Sequence, residues 1–372
     1  MSRLLLSLAL LLALGSLISA AEEKIPLGPP GATLDDVHQN PDDPAILTKF
    51  ASPHFREISM LSDEDPDAAE KKLAEFEAVL DSLKVGEKAQ PLLTRLKASI
   101  TAYRENIASD RLTLADVEKE LTENPDDIKA FRNWSNKALS EMYGIAYSRP
   151  EQAEAKLSKA KEFLAKVSEA AQNDNTKERI ASLSDPRRGS FSQIEQAIAK
   201  GREYAELIGK AAAPLTVETW VNGTPLTAGD LNGKVVLLDF WAVWCGPCIA
   251  TFPHLREWQE KYGDKGLVII GVTSYYNYKW DDEAGYTARA DGEVTPEEEQ
   301  ETLQKFAAYY HLKHRFAVQP EGDRTLSEHY GVSGIPHVVV LDKTGKIRLI
   351  RVGSGKQNAE DIDKLLAELL KA

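Results

Sequence analysis

The spacing of apolar residues changes abruptly near Ala213, and this change constrains the fold more than any other feature of the sequence. Upstream, apolar positions recur in steps of three and four. Examples are Leu93, Leu96, Ile100, Tyr103 and Ile107, then Leu73, Phe76, Leu80 and Leu83, and later Ala153, Leu157, Ala160, Leu164 and Val167. Ile128, Phe131, Ala138 and Met142 follow the same rule, which places them on one face of a helix. Breaks fall at Pro66, Pro91, Pro125, Pro150 and Pro186, often beside Asp, Asn or Ser, residues that cap a following helix. Residues 45–212 are therefore read as an all-α domain, a helical bundle or a set of helical hairpins.

Downstream the pattern belongs to another class. Thr216 to Val221 is β-branched and aromatic, Asn222-Gly223 is a hairpin turn signal, and Val235 to Leu238 is an apolar strand run. A helix is expected from Pro247 to Tyr262, a strand from Leu267 to Val272, a helix from Pro296 to Leu312 and a short one around Leu326 to Tyr330. Val338 to Leu341 and Ile347 to Val352 form a hairpin across Asp342-Lys343-Thr344-Gly345, and a closing helix carries Ile362, Leu365, Leu366 and Leu369. Strands alternating with helices over 213–372 predict an α/β domain, a central mixed sheet with helices on both faces. The whole chain is thus multidomain.

At the N-terminus, Arg3 precedes an apolar run from Leu4 to Ile18, followed by Ser19, Ala20 and Ala21. This predicts a signal peptide over 1–21 and an exported, most simply periplasmic, protein. The alternative is an uncleaved anchor, which would be the route to membrane contact. Pro and Gly from Pro26 to Gly31 mark 22–44 as a flexible linker. A formal net charge of -13 disfavours nucleic acid and anionic lipid.

The chain holds two Cys, Cys245 and Cys248, in a single Cys-x-x-Cys. A disulfide across so short a loop restrains the unfolded chain little, so it is a poor staple. A zinc site would need two further ligands, with His337 or a neighbouring acid the available donors. Redox catalysis fits better, and it requires no metal or cofactor. The motif follows a strand and opens a helix, so unpaired backbone N–H groups and the helix dipole face the first sulfur and favour its thiolate. Pro247 suits the first helical turn, where its missing N–H is no loss. Cys245 is then the exposed nucleophile, and Cys248, one turn inward, is the resolving thiol.

Asp239-Phe240-Trp241-Ala242-Val243-Trp244-Cys245-Gly246-Pro247-Cys248 resembles the active-site strand and turn of the thioredoxin superfamily, and Gly334-Ile335-Pro336 resembles its cis-proline loop. Gly233-Lys234 before the motif strand and the Asp342 to Ile347 turn are similar to those of exported TlpA/ResA-like thiol-disulfide oxidoreductases. The resemblance spans about 213–372 and implies a thioredoxin-like fold. It implies that Pro336 is cis beside the sulfurs, and that the backbone at Ile335 pairs with an extended substrate. It also implies that Trp244, Gly246 and Pro247 border the substrate. Asp239 takes the place of the buried acid that moves the proton of Cys248. Where TlpA/ResA-like proteins usually carry a neutral residue at that place and Glu three residues beyond the second Cys, this chain has Asp239 and Thr251, and Ile249 replaces a usual basic residue. Pro253 keeps the helix-kinking proline.

His337, next to the expected cis-proline, either contacts substrate and tunes the thiolate or is a surface loop residue. Tyr275, Tyr276, Tyr278, Trp280 and Tyr286 lie in a segment that either binds a partner protein or packs back on its own domain. The stretch from Glu123 to Asp127 resembles a tetratricopeptide hairpin, without a steady period.

The leading functional expectation is reduction of protein disulfides, with disulfide-bearing client proteins and an unidentified electron donor as partners. The alternatives are a disulfide oxidase, a peroxiredoxin-like redoxin, and a helical scaffold with an accessory thioredoxin-like domain.

Overall fold

Proline and short polar caps set the helix starts. The computed structural model describes residues 31–282 and 286–371 of the chain. The expected signal peptide, and the linker as far as residue 30, lie outside the described residues. Thr33 caps α1 (Leu34–Gln39), Asp43 caps α2 (Pro44–Glu64) and Asp65 caps α3 (Pro66–Ser82) through side-chain oxygens that accept backbone N–H groups. Helix α4 (Gln90–Asp110) follows, then α5 (Leu114–Glu123) with a Thr113–Asp116 capping box and α6 (Ile128–Ala146) capped by Asp127. Three more helices complete the region: α7 (Pro150–Ala170), α8 (Asp174–Leu183) and α9 (Ser190–Leu207).

These helices bury two separate clusters. Val37, Leu47, Leu73 and Ile100 belong to one, from α1 to α4, while Val117, Trp134, Leu164 and Ile194 belong to the other, from α5 to α9. The linker expected over 22–44 is corrected in its last part. Helix α1 lies inside it, because the Thr33 capping box starts a turn whose Val37 is only 2% exposed and joins the first core.

The sheet combines β1 (Thr219–Val221), β2 (Val235–Phe240), β3 (Leu267–Thr273), β6 (Arg315–Val318), β7 (His337–Leu341) and β8 (Ile347–Val352) in the order β1-β6-β3-β2-β7-β8. Strand β2 runs parallel to β3 and antiparallel to β7. Helix α10 (Ala228–Leu231) precedes β2, and α11 (Gly246–Tyr262), α12 (Pro296–Tyr309), α13 (Thr325–His329) and α14 (Lys356–Leu369) surround the sheet.

Side chains alternate across it. Val235 and Leu237 pack with α11, α12 and α14 on one face. Val236, Leu238 and Phe240 pack with Leu326, Tyr330 and Tyr204 of α9 on the other. One expectation is corrected here. Asn222-Gly223 does not turn a hairpin: β1 pairs with β6, a strand not anticipated, because Asn222 donates from its side chain to the carbonyls of Leu312 and His314 just before β6. The aromatic segment forms a small hairpin, β4 (Tyr278–Asp281) and β5 (Tyr286–Arg289).

The two halves of the chain are in contact. Beyond α9, the backbone follows β8: Gly209 N–H donates to Ile347 O, Ile347 N–H to Lys210 O, and Ala212 N–H to Gly345 O. Arg149 pairs with Asp361 of α14 at 3.1 Å. The boundary expected at 213 therefore lies beside residues that already belong to the sheet's edge.

Candidate active site

Strand β2 is buried throughout, and the chain leaves it through Trp241-Ala242-Val243-Trp244. Cys245 N–H donates to Ala242 O at 3.0 Å, closing a turn that delivers Cys245 as the N-cap of α11. Its sulfur accepts the N–H of Cys248 at 3.2 Å, so a first-turn amide already faces the atom that would carry thiolate charge. Cys245 and Cys248 are joined in a disulfide, with Cα atoms 5.3 Å apart.

Cys248 is fully buried and Cys245 is 4% exposed, whereas Trp244 is 49% exposed. Trp244, Gly246 and Pro247 form the exposed rim around the nearly covered Cys245. The Trp244 ring stands edge-on to Tyr276 at 5.5 Å, and Thr287 of β5 donates to Val243 O at 3.3 Å. The β4–β5 hairpin thus braces the turn. Tyr275, Tyr276, Tyr278 and Trp280 pack against the sheet's core, which is the packing alternative for that segment. Tyr276 and Asn277 donate their N–H groups to the Glu299 carboxylate at 2.9 and 2.7 Å. Thr287 and Glu299 carried no signal in the sequence, because each acts through a backbone group distant along the chain.

The Ile335–Pro336 peptide is cis. His337 pairs with Phe240 in the β2–β7 register, so the residues before His337 and those after Phe240 emerge at the same end of the sheet. Ile335 packs against the cluster that holds both Cys. A groove of about 720 Å³ runs alongside, lined by Ile335, Tyr275, Tyr276, Val294, Gln319 and Glu321 among others.

Asp239 is 0% exposed, opposite Gly271 of β3 and Val338 of β7. By alternation it points to the face that α11 covers. Neither carboxylate oxygen has a hydrogen-bond partner in the protein, and burial pushes its pKa up to about 7. The Trp241 indole lies where a side chain at position 271 would stand, 2.7 Å from the Cβ that Gly271 lacks. Thr251 donates to Cys248 O at 2.7 Å and so serves its own helix.

His337 needs correction. Its side chain is 0% exposed and points to the opposite face, edge-on to Phe240 at 5.6 Å and to Tyr204 at 5.5 Å. It is buried away from the surface and from the face of the two sulfurs, because the strand begins at His337 and alternation turns it away from α11. Burial lowers its pKa to about 3, with a smaller contribution from Lys200. Among the described residues no group of three or more His, Cys, Asp or Glu is placed to hold a metal ion, and no helix is long and apolar enough to cross a membrane.

The sequence pattern of the Redoxin family matches residues 208–366. The thiol-disulfide oxidoreductase ResA of Bacillus thuringiensis subsp. konkukian is 29% identical over 162 residues, 44% of this chain and 78% of ResA. The thioredoxin-like protein YneN of Bacillus subtilis is 28% identical over 146 residues, 39% of this chain and 72% of YneN. Among solved structures, a thiol-disulfide isomerase from Corynebacterium glutamicum aligns with a TM-score of 0.34 and 23% identity, covering 43% of this chain and 96% of its own. Residues 208–366 are thus similar in sequence to the redoxin family and to thioredoxin-like proteins.

Proposed function

We propose that the protein is an exported thiol-disulfide oxidoreductase that reduces disulfides in client proteins. The observation that carries this reading is the Cys245–Cys248 disulfide at the start of α11, with Cys245 nearly covered inside the exposed rim of Trp244, Gly246 and Pro247 and Cys248 fully buried on Asp239's face of the sheet. The relatives named oxidoreductases support it.

In the reduced protein the Cys245 thiolate attacks one sulfur of a client disulfide. The client's S–S bond breaks, a mixed disulfide forms, and one client thiolate leaves. Cys248, losing its proton to Asp239, then attacks the Cys245 sulfur and releases the second client thiolate. Two electrons pass to the client, and the Cys245–Cys248 disulfide forms. An acid that titrates near 7 takes up and returns such a proton at neutral pH. Ile335 and cis-Pro336 provide backbone for pairing with an extended client segment, and Trp244, Gly246 and Pro247 border it. A dithiol donor outside this chain must restore the reduced form.

With dithiothreitol as donor, the protein should reduce insulin disulfides and Cys245→Ser should abolish the reaction. Retention of the full rate by that variant would overturn the proposal. Cys248→Ser should retain clients on Cys245 as mixed disulfides that a reductant releases. The direction is set by the potential: a value nearer about −120 mV than about −270 mV would make the protein an oxidant instead.

A further inference from the structure

The helical region touches the loop that leads into Pro336, and a buried tyrosine of α9 bonds to the backbone of that loop. Tyr204, on the last turn of α9, is 3% exposed. Its hydroxyl donates to Gly331 O at 2.9 Å and lies 3.3 Å from the Ser333 hydroxyl. Its ring meets His337 edge-on, immediately after Pro336.

Gly331 has a φ of +66°, and a Cβ there would stand 3.1 Å from the Tyr204 ring and 3.3 Å from Lys200 of the same helix. The glycine lets the helix approach the loop backbone closely. At the far end, Gly353 N–H donates to Pro336 O at 2.9 Å. Residues 331–336 are therefore held by α9 at one end and by the sheet at the other. The exposed Ser333 and Gly334 lie between.

We propose that Tyr204 is a positioning residue, through which the helical region holds the client-pairing loop in its binding conformation. The inference rests on the disulfide-exchange reading above. A backbone that pairs with an extended segment binds best when it is already ordered, because ordering otherwise subtracts from affinity. Tyr204 touches neither sulfur, so its influence falls on client binding rather than on thiol chemistry. It also gives α9 a task that no chemistry-bearing residue in the helical region suggested.

The test compares two substrates with the full-length protein: insulin, which presents a polypeptide to the loop, and the small aromatic disulfide 5,5′-dithiobis(2-nitrobenzoate), which does not. Tyr204→Phe keeps the ring against His337 and removes only the hydroxyl. It should raise KM for insulin about five- to tenfold, the scale of one lost hydrogen bond. Its kcat, its rate with the small disulfide and its reduction potential should stay within about twofold of the parent. Ser333→Ala should shift KM in the same direction by a smaller factor, which keeps the idea testable if Tyr204→Phe folds poorly.

An unchanged KM for insulin in both variants would overturn the proposal. So would parallel losses on both substrates, which mark a general loss of fold. If the parent protein reduces neither substrate, or Cys245→Ser keeps its activity, the exchange reading itself fails and this inference falls with it.

Discussion

Asp239 and His337 sit on neighbouring rungs of one strand pair, Asp239 opposite Val338 and Phe240 opposite His337, and they point to opposite faces of the sheet. Both are 0% exposed, and none of their side-chain polar atoms has a protein partner. Burial penalises charge in both cases, yet the consequences are opposite. It raises the acid's pKa to about 7 and lowers the imidazole's to about 3. The acid therefore exchanges its proton near neutrality, while the histidine stays neutral there. The faces match these states: α11 with its two sulfurs covers one, and α9 lays Tyr204 on the other. One physical cause leaves an acid that titrates near neutrality on the face of the two sulfurs and a neutral packing group on the docked face.

Asp239→Asn should break this comparison most strongly. Between pH 4 and 7 the native protein keeps a proton that the unfolded chain releases, so the parent loses stability as pH rises through that window. Moving proton affinity from 3.8 to about 7 corresponds to about 4 kcal/mol. Asparagine cannot ionise. The oxidised variant should therefore match the parent near pH 4 and exceed it by up to about 4 kcal/mol at pH 8 in denaturant titrations. Release of the mixed disulfide at pH 7 should slow about a hundred- to ten-thousandfold, the scale of a lost proton acceptor. A stability difference that ignores pH would show that the carboxyl is not desolvated.

The reactive face was largely legible in the sequence because its parts are local. Cys245, Cys248 and Pro247 lie within one helical turn, and the apolar run ending at Asp239 announces a buried strand. The docked face was not. The orientation of His337 depends on where β7 begins, and its cover comes from Tyr204, 133 residues earlier by numbering. Strand β6 was missed because Arg315 to Val318 is a four-residue run without a turn signal of its own, made a strand by β3 and β1 beside it. The helical character of 45–212, and α3, α4, α6 and α7 in particular, followed from spacing and proline. Their division into two cores depends on contacts between helices that spacing along one helix does not encode.

His337→Leu sharpens the comparison from the other face. A histidine held near pKa 3 binds fewer protons folded than unfolded from pH 6.5 downward, so the parent loses stability as pH falls through that window. Leucine removes this loss. Relative to the parent, the variant should gain about 2–3 kcal/mol on going from pH 7.5 to pH 4.5. His314, lowered to about 4 by burial, remains in both proteins and keeps part of the acid sensitivity. Insulin reduction at pH 7 should stay within about twofold of the parent. A large loss of rate with an unchanged reduction potential would place His337 back among the residues that serve the site.

The smallest expected effect concerns how the docked face is held. Asp361 of α14 accepts from Arg149 at 3.1 Å and from Arg351 at 2.8 and 3.0 Å, and the three side chains are 15–32% exposed. Arg149→Ala leaves Asp361 paired with Arg351, so the carboxylate is not stranded. The cost should be about 1 kcal/mol, smaller still at high salt, because the lost pair is partly solvated. Insulin KM discriminates between two ways in which the helical region can act on the loop. If the Tyr204 hydroxyl holds it, Arg149→Ala should leave KM within about twofold, since α9 remains anchored by Tyr204 and by the backbone bonds of 209–212 to the turn and start of β8. A KM shift as large as that of Tyr204→Phe would instead assign the loop's order to the seating of the entire helical region, with the tyrosine as one of its contacts.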